Sequence, residues 1–113
     1  MNELAAHIKD IFSPLGPVSL RRMFGGHGIF HAGLMFGLVF DGTVYLKADG
    51  QNLPAFEAEG LEQFTYVRQG KRVGLAYYRA PDRLFDEPDE ARHWARHAFE
   101  AAMRAENRRA TRR

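Results

Sequence analysis

Leu34–Phe40 is apolar at every position except Gly37, and Asp41-Gly42 follows at once. A short apolar run bounded by a turn signal reads as a strand buried on both faces. Asp-Gly is a strong two-residue hairpin signal, because such turns need φ > 0 at both central positions. Beyond it Val44, Leu46 and Ala48 alternate with Thr43, Tyr45 and Lys47, so the returning strand has one apolar face. The rest of the chain must cover this hairpin or lead into it.

At 113 residues and 45% hydrophobic, the chain can build one domain with one real core. It has no cysteine, which removes disulfides, thiolate metal sites and cysteine nucleophiles and fits a reducing compartment. The opening MNELAAHIKDIF mixes acid and base within a helical turn and lacks the apolar centre of a signal peptide. No apolar run approaches the ~20 residues that span a bilayer. A cytoplasmic protein without membrane contact is expected.

Formal net charge is +2. Residues 101–113 hold five arginines and one glutamate, while the preceding 100 hold 11 basic and 13 acidic side chains. The basic excess therefore belongs to the end of the chain, and the body, at −2, offers no obvious phosphate-tracking surface.

Leu4, Ala5, Ile8, Ile11 and Phe12 share one helical face, which Ser13-Pro14-Leu15-Gly16-Pro17 ends. Residues 18–24 read as a strand entering a glycine-rich bend, Gly25-Gly26-His27-Gly28, with Ile29-Phe30-His31 as a short strand or the far side of that bend. Residues 51–60 read as a short helix, capped by Asn52, with Pro54 in its first turn and Phe56 as anchor. Residues 64–68 and 72–79 flank Gln69-Gly70-Lys71 as a second hairpin. Asp86-Glu87-Pro88-Asp89-Glu90 is a concentrated helix start, and Ala91, Trp94, Ala95, Ala98, Phe99, Ala102 and Met103 keep helical spacing after it. This order predicts an α+β, two-layer domain, α-β(3–4)-α-β(2)-α. Its antiparallel sheet has five to six strands, with the terminal helices on one face. The domain is expected over residues 1–107. Residues 108–113 lack an apolar anchor and are expected to form a disordered basic tail.

RRMFGGHGIF, GLMF, VYLKAD, FTYV and AYYRAPDRLFDEPDEARHWA, in that order, resemble the N-terminal domain of the TfoX/Sxy competence regulators. The similarity runs over residues 21–98. It implies an α+β fold like that of secretion chaperones and a regulatory rather than catalytic role. In the best-known members the domain belongs to a protein that works with the cyclic-AMP receptor protein to switch on DNA-uptake genes. Those regulators carry a second, helical domain, so this chain is expected to be a stand-alone N-terminal domain. His27 stands where family members often have tyrosine.

Candidate chemistry is sparse. Gly25-Gly26-His27-Gly28 could nest an anion, but known cradles lead into a helix N-terminus and this one leads into a strand. A tight bend needing positive φ is the plainer reading. His93 and His97 are one helical turn apart, but Trp94 stands where a zincin would carry glutamate. His27 and His31, if on one strand, would be ~13 Å apart. No metal, cofactor or catalytic constellation is expected. Tyr77 and Tyr78 should serve the sheet's two faces.

Two surfaces remain. Arg21, Arg22, Met23, Phe24, Gly25, Gly26, His27, Gly28 and Lys47 form a candidate basic–apolar patch for a protein partner, a transcription factor such as the cyclic-AMP receptor protein. Arg104, Arg108, Arg109, Arg112 and Arg113 form the alternative, a weak nucleic-acid contact. Monomer and homodimer are both compatible with the sequence.

Overall fold

In the computed structural model, which describes residues 2–23 and 25–111, the hairpin forms as its sequence requires. Asp41 (φ 51°) and Gly42 (φ 76°) both take the left-handed conformation. They join β3 (Leu34–Phe40) to β4 (Thr43–Lys47), with Leu38 opposite Tyr45 and Val39 opposite Val44.

Around this hairpin run α1 (Asn2–Ile11), β1 (Ser19–Met23), β2 (Gly26–His31), α2 (Leu53–Ala58), β5 (Gln63–Arg68), β6 (Lys71–Arg79), a 3-10 turn (Asp82–Phe85) and α3 (Pro88–Thr111). The six strands form one antiparallel sheet in the order β1-β2-β3-β4-β6-β5. This is the expected α+β order, with β3 in the interior and buried on both faces.

One face meets the helices. Ile8, Ile11 and Phe12 from the α1 end pack with Ile29, Phe36, Val44 and Leu46 of the sheet and with Trp94, Ala95 and Ala98 of α3. Phe12 meets Phe36 edge-on at 5.5 Å. The small side chains on α3 let its backbone lie close to the sheet, and Phe56 of α2 fills the remaining space against Trp94 and Tyr78. Tyr78 thus joins the helix-side core while Tyr77 joins the opposite cluster, as alternation requires.

Three local expectations need correction. Asn52 precedes α2 but makes no capping bond. Its side chain is buried and turned back: Oδ1 accepts from the Asp49 N–H at 2.7 Å, and Nδ2 donates to the Lys47 carbonyl at 3.0 Å. Second, Gly26, His27 and Gly28 are ladder residues of β2, so the glycine-rich bend is shorter than expected. Third, helix continues through Arg108 and Arg109 to Thr111, because backbone bonding and the Arg109–Glu106 pair carry it beyond its last core contact.

Asp49 ties the two halves together. It accepts two hydrogen bonds from Arg104 on α3, at 2.7 and 2.9 Å, and others from the Gln51 and Asn52 N–H groups. The Arg104 guanidinium, first, and those backbone donors hold the Asp49 carboxyl at a pKa of about 2, below its usual 3.8.

Candidate docking surface

The sheet face away from the helices is built by alternation. Met23 and Arg21 of β1, Gly28 and Phe30 of β2, Met35, Leu38 and Phe40 of β3, and Tyr45 and Lys47 of β4 share it by register. From β6 and β5 come Tyr77, Leu75, Phe64 and Tyr66.

This face curls. Met23 and Phe64 sit on strands at opposite ends of the sheet order, yet both line one small cavity with Gly26, Leu38 and Phe40. The curl brings rings together: Phe64 lies 5.4 Å from Phe40 and 5.0 Å from Tyr45, both edge-on. Among the described residues Leu38, Phe64 and Tyr77 form a buried cluster, and Met35, Phe40, Tyr45, Tyr66 and Leu75 are packed around them. Burial pushes the Tyr77 hydroxyl pKa up to about 12.

Glycine permits the closeness. A Cβ on Gly28 would lie within 3.1 Å of the side chains of Phe30, Met23 and Met35, and one on Gly26 would strike the Val39 carbonyl. Neither glycine has positive φ; among the described residues of the motif's bend only Gly25 does, at 78°. Gly26 and Gly28 are therefore packing residues rather than an anion cradle or a strained turn.

The structure divides the sequence-derived patch. Arg21, Met23 and Lys47 share the curled face with Gly28. Arg22 and His27 pair with each other in the register and point the other way. The His27 Nε2 is buried without a hydrogen bond among the described residues. Phe24 lies outside the described residues. Two cations lie over rings: the Arg21 guanidinium is 4.6 Å from the Phe30 centroid, and the Lys47 ammonium is 5.0 Å from that of Tyr77. Burial lowers the Lys47 pKa and Arg108 adds to this, while Asp49 opposes it.

Charge is sharply segregated. The strands hold Arg21, Arg22, Lys47, Arg68, Lys71, Arg72 and Arg79 and no aspartate or glutamate. All 14 acidic residues lie in helices, turns or loops. Among the described residues only Arg79 of the strand cations has an ion-pair partner, Asp82 at 3.2 Å. The expectation that the body lacks a basic surface is thus corrected: the sum of −2 averages a cationic sheet with acidic surroundings.

The alternative arginine set is also redistributed. Arg104 is engaged by Asp49, and Arg109 by Glu106 at 2.9 Å. Arg108 is exposed, and Arg112 and Arg113 lie outside the described residues. His93 and His97 face each other with 4.6 Å between ring centroids, and the His97 Nδ1 is 3.6 Å from Glu100. Among the described residues no three potential metal ligands converge. His31 is structural: it hydrogen-bonds the Pro17 carbonyl through Nδ1 at 2.6 Å and meets Phe99 edge-on. No described helix is long and apolar enough to cross a membrane.

These features define an α+β domain with one sheet face closed by helices and the other presenting a basic–aromatic surface. The chain belongs to the TfoX N-terminal domain family, which matches residues 10–102. It is 32% identical over 87 residues to the DNA transformation protein TfoX1 of Aliivibrio fischeri, covering 77% of this chain and 41% of that protein. It is 26% identical over 104 residues to Protein Sxy of Escherichia coli, covering 92% of this chain and 50% of that protein. The chain thus spans half or less of the curated relatives it matches.

Proposed function

We propose that this domain is a non-catalytic regulatory module that acts by docking another protein, with a transcription factor as the partner class. The observation that carries this reading is the curled sheet face. Its apolar floor is packed by Gly28, Met23, Phe30 and Met35, and exposed Arg21 stands over it without an ion-pair partner among the described residues. Such an apolar surface with a charged rim has the anatomy of a protein interface. The names of the TfoX1 and Sxy relatives, one of them a DNA transformation protein, support a regulatory setting. Direct nucleic-acid binding through the last helix is the second reading. It is weakened by the engagement of Arg104 and Arg109 with carboxylates.

Affinity capture from the native host tests this with three forms of the full chain. Arg21→Glu should lose the specific partner, whereas Arg108→Ala/Arg112→Ala/Arg113→Ala should retain it. The docking reading fails if the triple variant loses every partner while a folded Arg21→Glu protein captures them normally. Circular dichroism checks the fold of each.

A further inference from the structure

We propose that the curled sheet face takes an extended, acidic segment of another protein, whose carboxylates meet the strand cations and whose apolar side chains cover the ring cluster. The inference rests on the docking reading above and specifies the partner's chemistry.

The first support is charge complementarity. By strand alternation Arg21, Lys47, Arg68, Lys71 and Arg79 share the face of Phe64, Tyr66 and Tyr77, and none of the strands supplies an acid. Arg21, Arg68 and Lys71 are exposed without ion-pair partners among the described residues. The second support is shape. The floor between these cations is formed by half-buried Phe30, Met35, Phe40 and Tyr45, so an apolar side chain can be covered there while a neighbouring carboxylate reaches the rim. Strands lie ~4.8 Å apart and an extended chain rises ~3.3 Å per residue, so about eight residues is the upper bound for crossing the six strands, and the curl shortens that path.

The same observations weigh against other occupants. Single-stranded nucleic acid binds through bases stacked on open ring faces. Here Phe40 and Tyr45 meet Phe64 edge-on, and Arg21 and Lys47 already lie over Phe30 and Tyr77. A second copy apposed through this same face would bring like charges together.

The probes are fluorescein-labelled peptides of about eight residues that alternate glutamate with leucine and phenylalanine, matching the crossing length above. A lysine-for-glutamate version, a serine-for-glutamate version and an oligothymidylate serve as comparisons, with anisotropy read on the intact chain. The acidic peptide should bind tightest and weaken as salt shortens the Debye length from ~10 Å at 0.1 M to ~3 Å at 1 M. The exposed pair Arg21→Glu/Arg68→Glu should reduce its affinity at least about ten-fold, by the electrostatic rule for rim and buried charges. Lys9→Glu/Arg92→Glu, exposed on the helices, should leave it unchanged. If the double variant loses its circular dichroism signal, Lys47→Gln replaces it and the same direction is expected.

Tighter binding of the lysine or serine peptide, or of oligothymidylate, overturns the inference. So does self-association of the chain that disappears in Arg21→Glu/Arg68→Glu, because the occupant is then a second copy. If host partners are lost from Arg21→Glu but the acidic peptide neither binds nor competes, the chemistry fails while the docking reading stands. If folded Arg21→Glu captures every host partner normally while Arg108→Ala/Arg112→Ala/Arg113→Ala loses them, the docking reading itself has failed.

Discussion

Trp94→Ala should destabilise the domain by about 3–5 kcal/mol, the usual range for truncating a buried large aromatic. Trp94 is 6% exposed and stands where α2, the 3-10 turn and α3 meet. Its ring lies 5.1 Å from Phe56, its indole N–H donates to Glu90 at 3.1 Å, and the Arg83 guanidinium is 5.9 Å from its centroid. Arg83 in turn pairs with Glu59 beyond α2 and with Glu90 on α3. Alanine would leave a cavity at the junction and free the charged groups arranged over it. Domains of this kind commonly hold only about 5–15 kcal/mol in total, so the loss takes a large share of the stability and the urea midpoint should fall sharply. Trp94 is the chain's one tryptophan, so urea unfolding must be followed by circular dichroism. An unchanged midpoint would show that α3 is not clamped through this residue.

Asp49→Asn should cost on the order of 2 kcal/mol at neutral pH. The figure follows from holding a carboxyl near pKa 2 against its ordinary 3.8. The Asp49 side chain is only 14% exposed, and Arg104 26%, so solvent screening is limited. Asparagine keeps an acceptor for the Gln51 and Asn52 N–H groups but loses the ionic pair across to α3. Because the folded pKa is depressed, the stabilisation is complete above about pH 4 and disappears as pH falls toward about 2. Urea midpoints at both ends of that window isolate the effect. The difference between native protein and variant should be large at neutral pH and close at pH 2. A constant difference would assign Asp49's contribution to the turn rather than to its charge.

The fold was legible where local chemistry and packing agree. The apolar strand and the Asp-Gly turn form β3 and its hairpin with the expected ends, and the alternating return strand forms β4, which stops at Lys47, one residue before Ala48. The proline and acids before Ala91, followed by helical spacing, likewise locate α3. What could not be read locally is contact across the chain. Arg104 reads as part of a basic end and nothing local pairs it with Asp49, 55 residues away; only the packed α3 brings them together. Asn52 has the residue type and position of a helix cap, but the β4 backbone offers its buried side chain other partners.

The candidate surface was half legible. Arg21, Met23 and Lys47 of the sequence-derived patch share one face, but strand alternation sends Arg22 and His27 to the other side. Charge is harder to read: the body sums to −2 although its strands carry no acid, and only assigning each charge to its element separates Arg21, Lys47, Arg68 and Lys71 from the acidic helices and turns. The aromatic cluster required the curl, because Phe40 and Phe64 are far apart in the sheet order.

Hydroxyl-radical footprinting of the intact chain, alone and in complex with the captured host partner, tests the central claim that the partner sits on the face opposite the helices. Methionines report both sides: Met23 and Met35 belong to the curled face, while Met103 is 38% exposed on α3. The complex should protect Met23, Met35 and Tyr45 and leave Met103 as reactive as in the free chain. Protection of Met103 and the α3 surface, with Met23, Met35 and Tyr45 unchanged, would place the partner on the helices and contradict the account.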